Sequence, residues 1–413
     1  MVARCAQRLI DAGTSSGLPA RAWWVPGRVE LLGKHTDYAG GRSLTCATER
    51  GFCAVAVDCQ ERNLVVHCDD DSARFPLFGD AEGPREGWRL YPGVLAHRVA
   101  SDVGDIAWGA EVALESNLPR DAGLSSSSAL LVLLFEVLCC ANGWERHPQM
   151  ARIATDPFER AVYVACIESG RPYGGWSGSD EGVGTRGGSE DHVAILCSSP
   201  GLVGLYRYRP VQELGRANLP ERHALVVGGS GIAAHKAGNA KDAYNRASDL
   251  VSGLCDRVGA HEGLGAWIAG GAGRYVALRE SVADDGALSD RLRHFVEEDA
   301  LVGDAFEALA AGDVEAFAVV ANASHALGHA LLGNTTPETA ALAATALAEG
   351  AVAASTFGAG FGGSAWALVP SSVVGSFLRR WAEAYGAACP HATPGEFFAT
   401  APGPAAQRLL LGQ

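Results

Sequence analysis

The sequence of 413 residues contains no long basic run, and its formal net charge is −14. That excludes the basic face by which proteins hold nucleic acid. It does not exclude a small anionic substrate, because a few local cations can outvote a distant negative surface. No two of the eleven cysteines stand at CxxC spacing, although Cys139 and Cys140 are adjacent within an apolar segment. Scattered cysteines of this kind read as reduced, mostly buried thiols of a cytoplasmic protein, not a disulfide or zinc framework. The opening "MVARCAQRLIDAG" lacks an apolar signal core, so no export is expected. The longest apolar run, "ALLVLLFEVLCCA", contains Glu136 and is shorter than the ~20 residues a bilayer span needs. It reads as a buried helix, and no membrane partner is expected. There is no tandem repeat and no clear flexible linker. What is present, 48% hydrophobic and 19% charged residues, suits a packed enzyme. Its length suits two domains or one large one.

Residues 5–12 and "LYPGVLAHRVASDVG" have helical apolar spacing. "DPFERAVYVACIES" opens on Asp156 and Pro157, a helix start signal, and "TTPETAALAATALAEG" does the same with Thr336 and Pro337. "SLTCATE", "GFCAVAVDC", "NLVVHC", "DIAWGAEVALES", "DHVAILCS", "LVGLYRYRP" and "HALVVGGSG" read as strands. Residues 170–189 carry eight glycines and almost no aliphatic side chains, so they read as a long loop, of a length that is functional or disordered. Beyond residue 215 the chain shifts to alanine-rich helices. The expected domains are 1–215 and 216–413.

Three glycine-anchored segments carry chemistry. "PGRVELLGKHTDYAGG", Pro26 to Gly41, crowds Arg28, Glu30, Lys34, His35 and Asp37 into ten residues interleaved with Val29, Leu31, Leu32 and Gly33. Charged groups against an apolar wall suit recognition of a polyol. A solvated turn with a local ion pair is the plainer alternative. "LPRDAGLSSSSAL" runs from a loop into the apolar helix, and helix N-termini bind phosphate. Gly123 permits close backbone approach, and Leu124, Ser125, Ser126, Ser127 and Ser128 follow it. One serine would satisfy an ordinary cap, so four favour phosphate. "FGAGFGGSAW" has four glycines between Gly358 and Gly363, which allows backbone shapes closed to other residues.

In this order and spacing, the three segments resemble the galacto-, homoserine-, mevalonate- and phosphomevalonate-kinase (GHMP) superfamily, and galactokinases most of all. The first is close to the signature GR-VN-L-IGEHTDYN-GG, the second to the PxGxGLSSS ATP loop, and the third to the glycine-rich C-terminal motif. "HKAGNAKDAYNRAS" and "ASHALGHALLGNTTPETAALAATALA" are similar to galactokinase segments lying between the second and third motifs. The resemblance covers nearly the whole chain. It implies an α+β, two-lobed GHMP kinase fold with the active site in the inter-lobe cleft. It also implies ATP and Mg²⁺ as cofactors, a small sugar as substrate, and phosphorylation of the anomeric hydroxyl by a monomer or homodimer. By the same resemblance Arg28 faces the transferred phosphoryl group and Asp191, in a GIMDQ-like segment, is the catalytic aspartate. Asp37, His35, Gly188 and Tyr244 border the sugar. Ser127 lies near Mg²⁺ and the phosphates, with Glu168 as the second metal ligand.

The chain departs from the pattern in three places. Lys34 stands where galactokinases have a glutamate that contacts the C6 hydroxyl. A lysine accepts no hydrogen bond and adds a positive charge. This points to a sugar with an anionic C6 end, a uronic acid or sugar phosphate, with Arg186 and His192 in support. The alternative is that Lys34 turns outward or pairs with Glu30, Glu190 or another carboxylate, which leaves plain galactose. Asp121 replaces the first glycine of the ATP loop, and residues 170–189 are longer than the matching galactokinase segment and suggest a lid. The competing functions are a kinase for another small alcohol, a catalytically inactive sugar and ATP sensor, and a purely structural protein.

Overall fold

In the computed structural model, which describes residues 1–14, 19–69, 71–78, 85–176, 180–233 and 239–410, the chain builds two antiparallel-rich sheets flanked by helices. The strands are β1 (Arg21–Leu32), β2 (Arg42–Cys59), β3 (Asn63–Cys68), β4 (Asp71–Pro76), β5 (Gly109–Ser116), β6 (Leu202–Arg207), β7 (Gln212–Asn218), β8 (His223–Gly229), β9 (Ala353–Thr356), β10 (Ser364–Pro370), β11 (Phe397–Thr400) and β12 (Gln407–Leu409). The larger sheet runs β12-β1-β2-β5-β3-β4, with β6 and β7 continuing from the first part of β2. The smaller runs β11-β8-β10-β9. The principal helices are α1 (Val2–Asp11), α2 (Leu90–Val103), α3 (Ser126–Asn142), α4 (Pro157–Ser169), α5 (Glu190–Cys197), α6 (Asn239–Val258), α7 (Gly286–Ala311), α8 (Val314–Leu327), α9 (Pro337–Ala348) and α10 (Val374–Ala388).

Helix α3 is the expected apolar helix. Leu131, Val132, Leu133, Leu134 and Phe135 are all fully buried, so it is apolar on every side because it lies in the core. The start signals work as read. Asp156 accepts from the backbone N–H groups of Phe158 and Glu159 at the head of α4, and Thr336 forms a reciprocal capping box with Thr339 at the head of α9.

Two readings of local structure change. "SLTCATE" and "GFCAVAVDC" are one continuous strand, because Gly51 pairs with Pro26 across the sheet instead of breaking β2. A Cβ at Gly51 would lie 2.3 Å from Val25 O, so the glycine allows close strand contact here. "DHVAILCS" is a helix, not a strand: Glu190–Cys197 forms α5, and Val193, Ala194 and Ile195 are fully buried. A short apolar run buried on all sides carries no period that separates helix from strand.

We propose the two sheets as the cores of two lobes, matching 1–215 and 216–413 except at two points. The boundary falls within β7, and the last strand, β12, returns to pair with β1. No helix among the described residues is long and apolar enough to cross a membrane. All eleven cysteines are free thiols, and Cys5, Cys46, Cys53, Cys139, Cys197 and Cys389 are buried.

Candidate active site

Strand β1 delivers Arg28 to the wall of a cavity of about 920 Å³, also lined by the start of α3, the head of α5 and the 357–362 glycine loop. The guanidinium is 3% exposed. Its Nε donates to Asp191 Oδ1 at 2.8 Å and its Nη1 to Gly123 O at 2.6 Å, so it bridges the serine-rich loop and the first turn of α5. Gly358 is required beside it. Its φ is +72°, and a Cβ there would stand 2.9 Å from Arg28 Nη2.

The head of α3 is arranged as an anion site. Gly123 and Ser125 both have positive φ, at 72° and 59°. Ser125 occupies the cap position without capping, and its buried Oγ has no partner. A helix of 17 residues therefore presents free N–H groups and an unsatisfied hydroxyl, which suits phosphate oxygens. Ser127 Oγ donates to Glu168 Oε1 at 3.4 Å, and Ser128 Oγ to Glu168 Oε2 at 2.7 Å and to Asp191 Oδ2 at 3.5 Å. These are hard oxygen donors. Among the described residues no group of three His, Cys, Asp or Glu side chains could hold a metal by itself. Such a sparse set fits Mg²⁺, which keeps waters and substrate phosphates in its shell. His192 Nε2 lies 3.1 Å from Glu168 Oε2, so His192 leans on the proposed metal carboxylate, not on a sugar. Asp121 lines the cavity with φ +54°. Beyond the serines the cavity becomes apolar, walled by Phe52, Trp88, Leu90, Tyr91, Leu118 and Leu130.

The other end of the cavity is polar. Asp37 Oδ1 accepts from Tyr38 N at 2.7 Å and Oδ2 from Glu190 N at 3.2 Å. Burial pushes its carboxyl above the usual range. Gly188 touches it so closely that a Cβ would lie 2.2 Å from Oδ2. His35 has φ +57°, with Nδ1 2.8 Å from Tyr38 Oη and Nε2 3.1 Å from Ala359 O. A carbonyl only accepts, so Nε2 carries the proton and Nδ1 accepts from the tyrosine. Burial, then the Arg291 charge, pull His35 down to about 3, so the ring is neutral. The Tyr244 ring packs tilted at 54° against His35, with centroids 5.1 Å apart, and burial raises its phenol well above the usual value. The first part of "HKAGNAKDAYNRAS", residues 235–238, lies outside the described residues.

Lys34 goes elsewhere. It is 1% exposed and is not among the residues lining the cavity. Its Nζ donates to Ser324 Oγ at 3.0 Å, and Ser324 Oγ donates to Glu298 Oε1 at 2.8 Å. The same Glu298 oxygen accepts from the backbone N–H groups of Gly33 and Lys34. Arg186 also points away from the cavity, to an ion pair with Asp249 on α6. The far end of the 170–189 loop is pinned to that helix: Arg186 N donates to Asn245 Oδ1, and Asn245 Nδ2 to Gly184 O. Residues 177–179 of the expected lid lie outside the described residues.

Sequence reasoning missed one residue outright and left two that it named without a settled role. Arg291, fully buried on α7, donates to His35 O at 2.6 Å and to Tyr38 Oη at 3.3 Å, and so holds the "KHTDY" turn from behind. No local pattern announces a contact across 256 residues. Glu30 and Glu190 face the cavity with their carboxyls in hydrogen-bond contact. Burial raises both, Glu190 further. A signal for these two existed: they stand at the N of VN and the M of GIMDQ in the patterns quoted above.

Comparison with known proteins fits this geometry. Residues 14–57 match the galactokinase galactose-binding signature, and residues 305–387 match the C-terminal domain of GHMP kinases. The galactokinase of Roseiflexus sp. (strain RS-1) is 31% identical over 378 residues, 87% of this chain and 86% of that protein. The chain belongs to the galactokinase family. The galactokinase of Streptomyces coelicolor is 28% identical over 406 residues, 95% of each chain. Lactococcus lactis galactokinase, solved with galactose, superposes with a TM-score of 0.81 at 22% identity, covering 98% of this chain and 99% of that one. The L. major mevalonate kinase, solved with R-mevalonate, gives 0.55 at 17% identity, over 92% and 95% of the two chains. The expected α+β GHMP kinase fold is therefore the observed one. As a family member the chain is a sugar kinase, a phosphotransferase with a sugar hydroxyl as acceptor and ATP as phosphoryl donor.

Proposed function

We propose that this family member transfers the γ-phosphoryl group of ATP to the anomeric hydroxyl of a neutral, galactose-type sugar. One observation carries the reading: Arg28 and Asp191 meet at 2.8 Å in a cavity that also holds the head of the serine helix and the His35–Asp37 turn. The nucleotide lies along the apolar end with its phosphates at Gly123, Leu124 and Ser125 to Ser128. The sugar lies against Asp37, His35, Gly188 and Tyr244. Phosphoryl transfer asks for positioning and charge neutralisation more than covalent help. Asp191 accepts the proton of the anomeric hydroxyl, and the Arg28 guanidinium moves its hydrogen bonds toward the phosphoryl oxygens. Ser127 and Glu168 would hold Mg²⁺, which would supply neutralisation of the phosphate charge.

The reading with an anionic C6 end, a uronic acid or sugar phosphate, needs the Lys34 ammonium at the sugar. Its Nζ is spent on Ser324 Oγ behind the cavity wall, which supports plain galactose instead. The sensor reading would leave the Arg28–Asp191 pair without a task.

The test is ATP consumption over galactose, other hexoses, uronic acids and hexose phosphates, with NMR of the product to locate the new phosphate. Transfer to the anomeric oxygen of galactose, lost in Asp191→Ala, is expected. Full turnover in Asp191→Ala would remove the aspartate from the mechanism.

A further inference from the structure

The acidic wall beside the reacting pair contains one carboxyl with no assigned work, and the inference about it rests on the sugar-kinase reading above. Glu30, Asp37, Glu190 and Asp191 all line the cavity. Asp37 accepts from two backbone N–H groups, and Asp191 from Arg28. Glu30 Oε2 accepts from Gly358 N at 3.2 Å, while its buried Oε1 has no N–H or hydroxyl partner. The group that reaches Glu30 is the carboxyl of Glu190. Two carboxyls in contact cannot both be ionised; the Gly358 N–H and the nearby Lys34 and Arg28 charges favour the carboxylate on Glu30, and the Asp37 and Asp191 carboxylates favour the proton on Glu190, which donates to Glu30. Glu190 is 5% exposed, and among the described residues no protein N–H or hydroxyl donor reaches its carboxyl. It keeps acceptor capacity at the cavity surface, beside the aspartate that takes the sugar proton. An acceptor built into a dry site and left without a donor costs stability unless a ligand supplies one.

We propose that Glu190 is a specificity-determining residue. Its carboxyl accepts a hydrogen bond from a hydroxyl of the acceptor sugar, and the acidic wall it forms with Glu30 and Asp37 turns away sugars bearing an anionic substituent. The charge balance supports this. Among the described lining residues the arginines are Arg28, which Asp191 and Gly123 hold, and Arg120, which pairs with Asp69. Lys34 acts on Glu30 only from behind. A uronate or sugar phosphate would bring its charge against the ionised members of this wall, with no free cation among the described lining residues opposite. Glu30 is a positioning residue: it fixes the Glu190 proton on the inner side and turns the remaining lone pairs outward.

The experiment compares wild type, Glu190→Gln, Glu190→Met and Glu30→Gln in ATP consumption and in calorimetric sugar binding. The sugars are galactose, galacturonate and galactose 6-phosphate. Wild type should prefer galactose over both anions by about a hundredfold in kcat/KM. Glu190→Met, similar in size but without polarity, should raise the galactose KM about tenfold with kcat changed by less than about threefold. Glu190→Gln keeps a hydrogen-bonding group and loses the acid. It should hold the galactose KM within about threefold and, being as neutral as the protonated acid it replaces, leave the preference over galacturonate within about threefold. Glu30→Gln removes the ionised member of the pair and should narrow the preference over galacturonate about tenfold. A galactose KM unchanged in Glu190→Met, or a galactose-to-galacturonate ratio unchanged in Glu30→Gln, would overturn the proposal, as would a wild type that prefers galacturonate. Should no sugar be phosphorylated while galactose still binds, the kinase reading fails separately. The galactose Kd of Glu190→Met then decides: about tenfold weaker supports the contact, and an equal value refutes it.

Discussion

Replacing Lys34 by glutamate restores the residue of the family signature at that position, yet it should damage this protein before it alters specificity. Lys34 is 1% exposed, and its ammonium sits in a chain of buried groups: Ser324 Oγ at 3.0 Å, then Glu298 Oε1 a further 2.8 Å on, with Glu30 near enough for Lys34 to lower its pKa. Glu298 itself is fully buried. Lys34→Glu removes the cation and puts a third carboxyl beside two others. Ser324 stands between Lys34 and Glu298, so no direct ion pair is broken, but leaving a buried carboxylate without its nearby cation costs on the order of 3–5 kcal/mol. Like-charge contact adds to this unless one carboxyl takes up a proton. In a cooperative unit of roughly 200 residues such a loss lowers Tm by about 10 °C. Thermal and urea unfolding of the purified variant would measure it. The second arm is Lys34→Glu combined with Glu30→Asn, which recreates both positions of the VN-L-IGE pattern. Removing Glu30 should cost stability in wild type and return it in the Lys34→Glu background, with a coupling of at least about 1.5 kcal/mol. Lys34→Glu within about 1 kcal/mol of wild type, or no coupling to Glu30, would refute the buried chain of charges.

Asp191→Asn should lower kcat by about 10²–10⁴-fold, as loss of a general base does, with ATP binding retained. Steady-state kinetics with a nucleotide-binding assay checks it. Gly188→Ala forces a methyl against Asp37 Oδ2, where a Cβ would stand at 2.2 Å, so the sugar KM should rise about tenfold or more while the ATP KM holds. The acid pair makes stability depend on pH. Burial raises Glu30 from 4.5 to about 7, so between those values the folded chain holds a proton the unfolded chain has lost. Stability from this group is complete below 4.5 and is lost as pH rises through the folded value, by at most about 3 kcal/mol. Glu30→Gln should therefore flatten the fall in Tm between pH 5 and 8, as read by a pH series of thermal melts. Ser128→Ala removes a hydroxyl that Glu168 Oε2 accepts at 2.7 Å, and should weaken the Mg²⁺ dependence of turnover without shifting the sugar KM.

Much of this protein follows from its sequence alone. The capping residues Asp156 and Thr336 act through hydrogen bonds reaching three residues or fewer, so their helices start where the local chemistry says. Strand and helix periods likewise report nearest neighbours. The three glycine segments carry family information because glycine is needed wherever backbone passes within touching distance of a functional side chain, as Gly358 does at Arg28; Gly188, in the 170–189 loop, does the same at Asp37.

Other features were decided only when distant segments met. The 190–197 run has no period, and its burial on every side by the packed core made it a helix, which places Asp191 in a first turn facing Arg28. The fate of Lys34 depended on Ser324 and Glu298, roughly 290 and 264 residues away, which offer its ammonium a partner behind the wall. The pairing of Glu30 with Glu190 likewise joins β1 to α5. A side chain's charge is written in the sequence. Whether that charge faces a substrate or a buried neighbour depends on which remote groups share its low-dielectric surroundings, and only the folded chain brings those groups together.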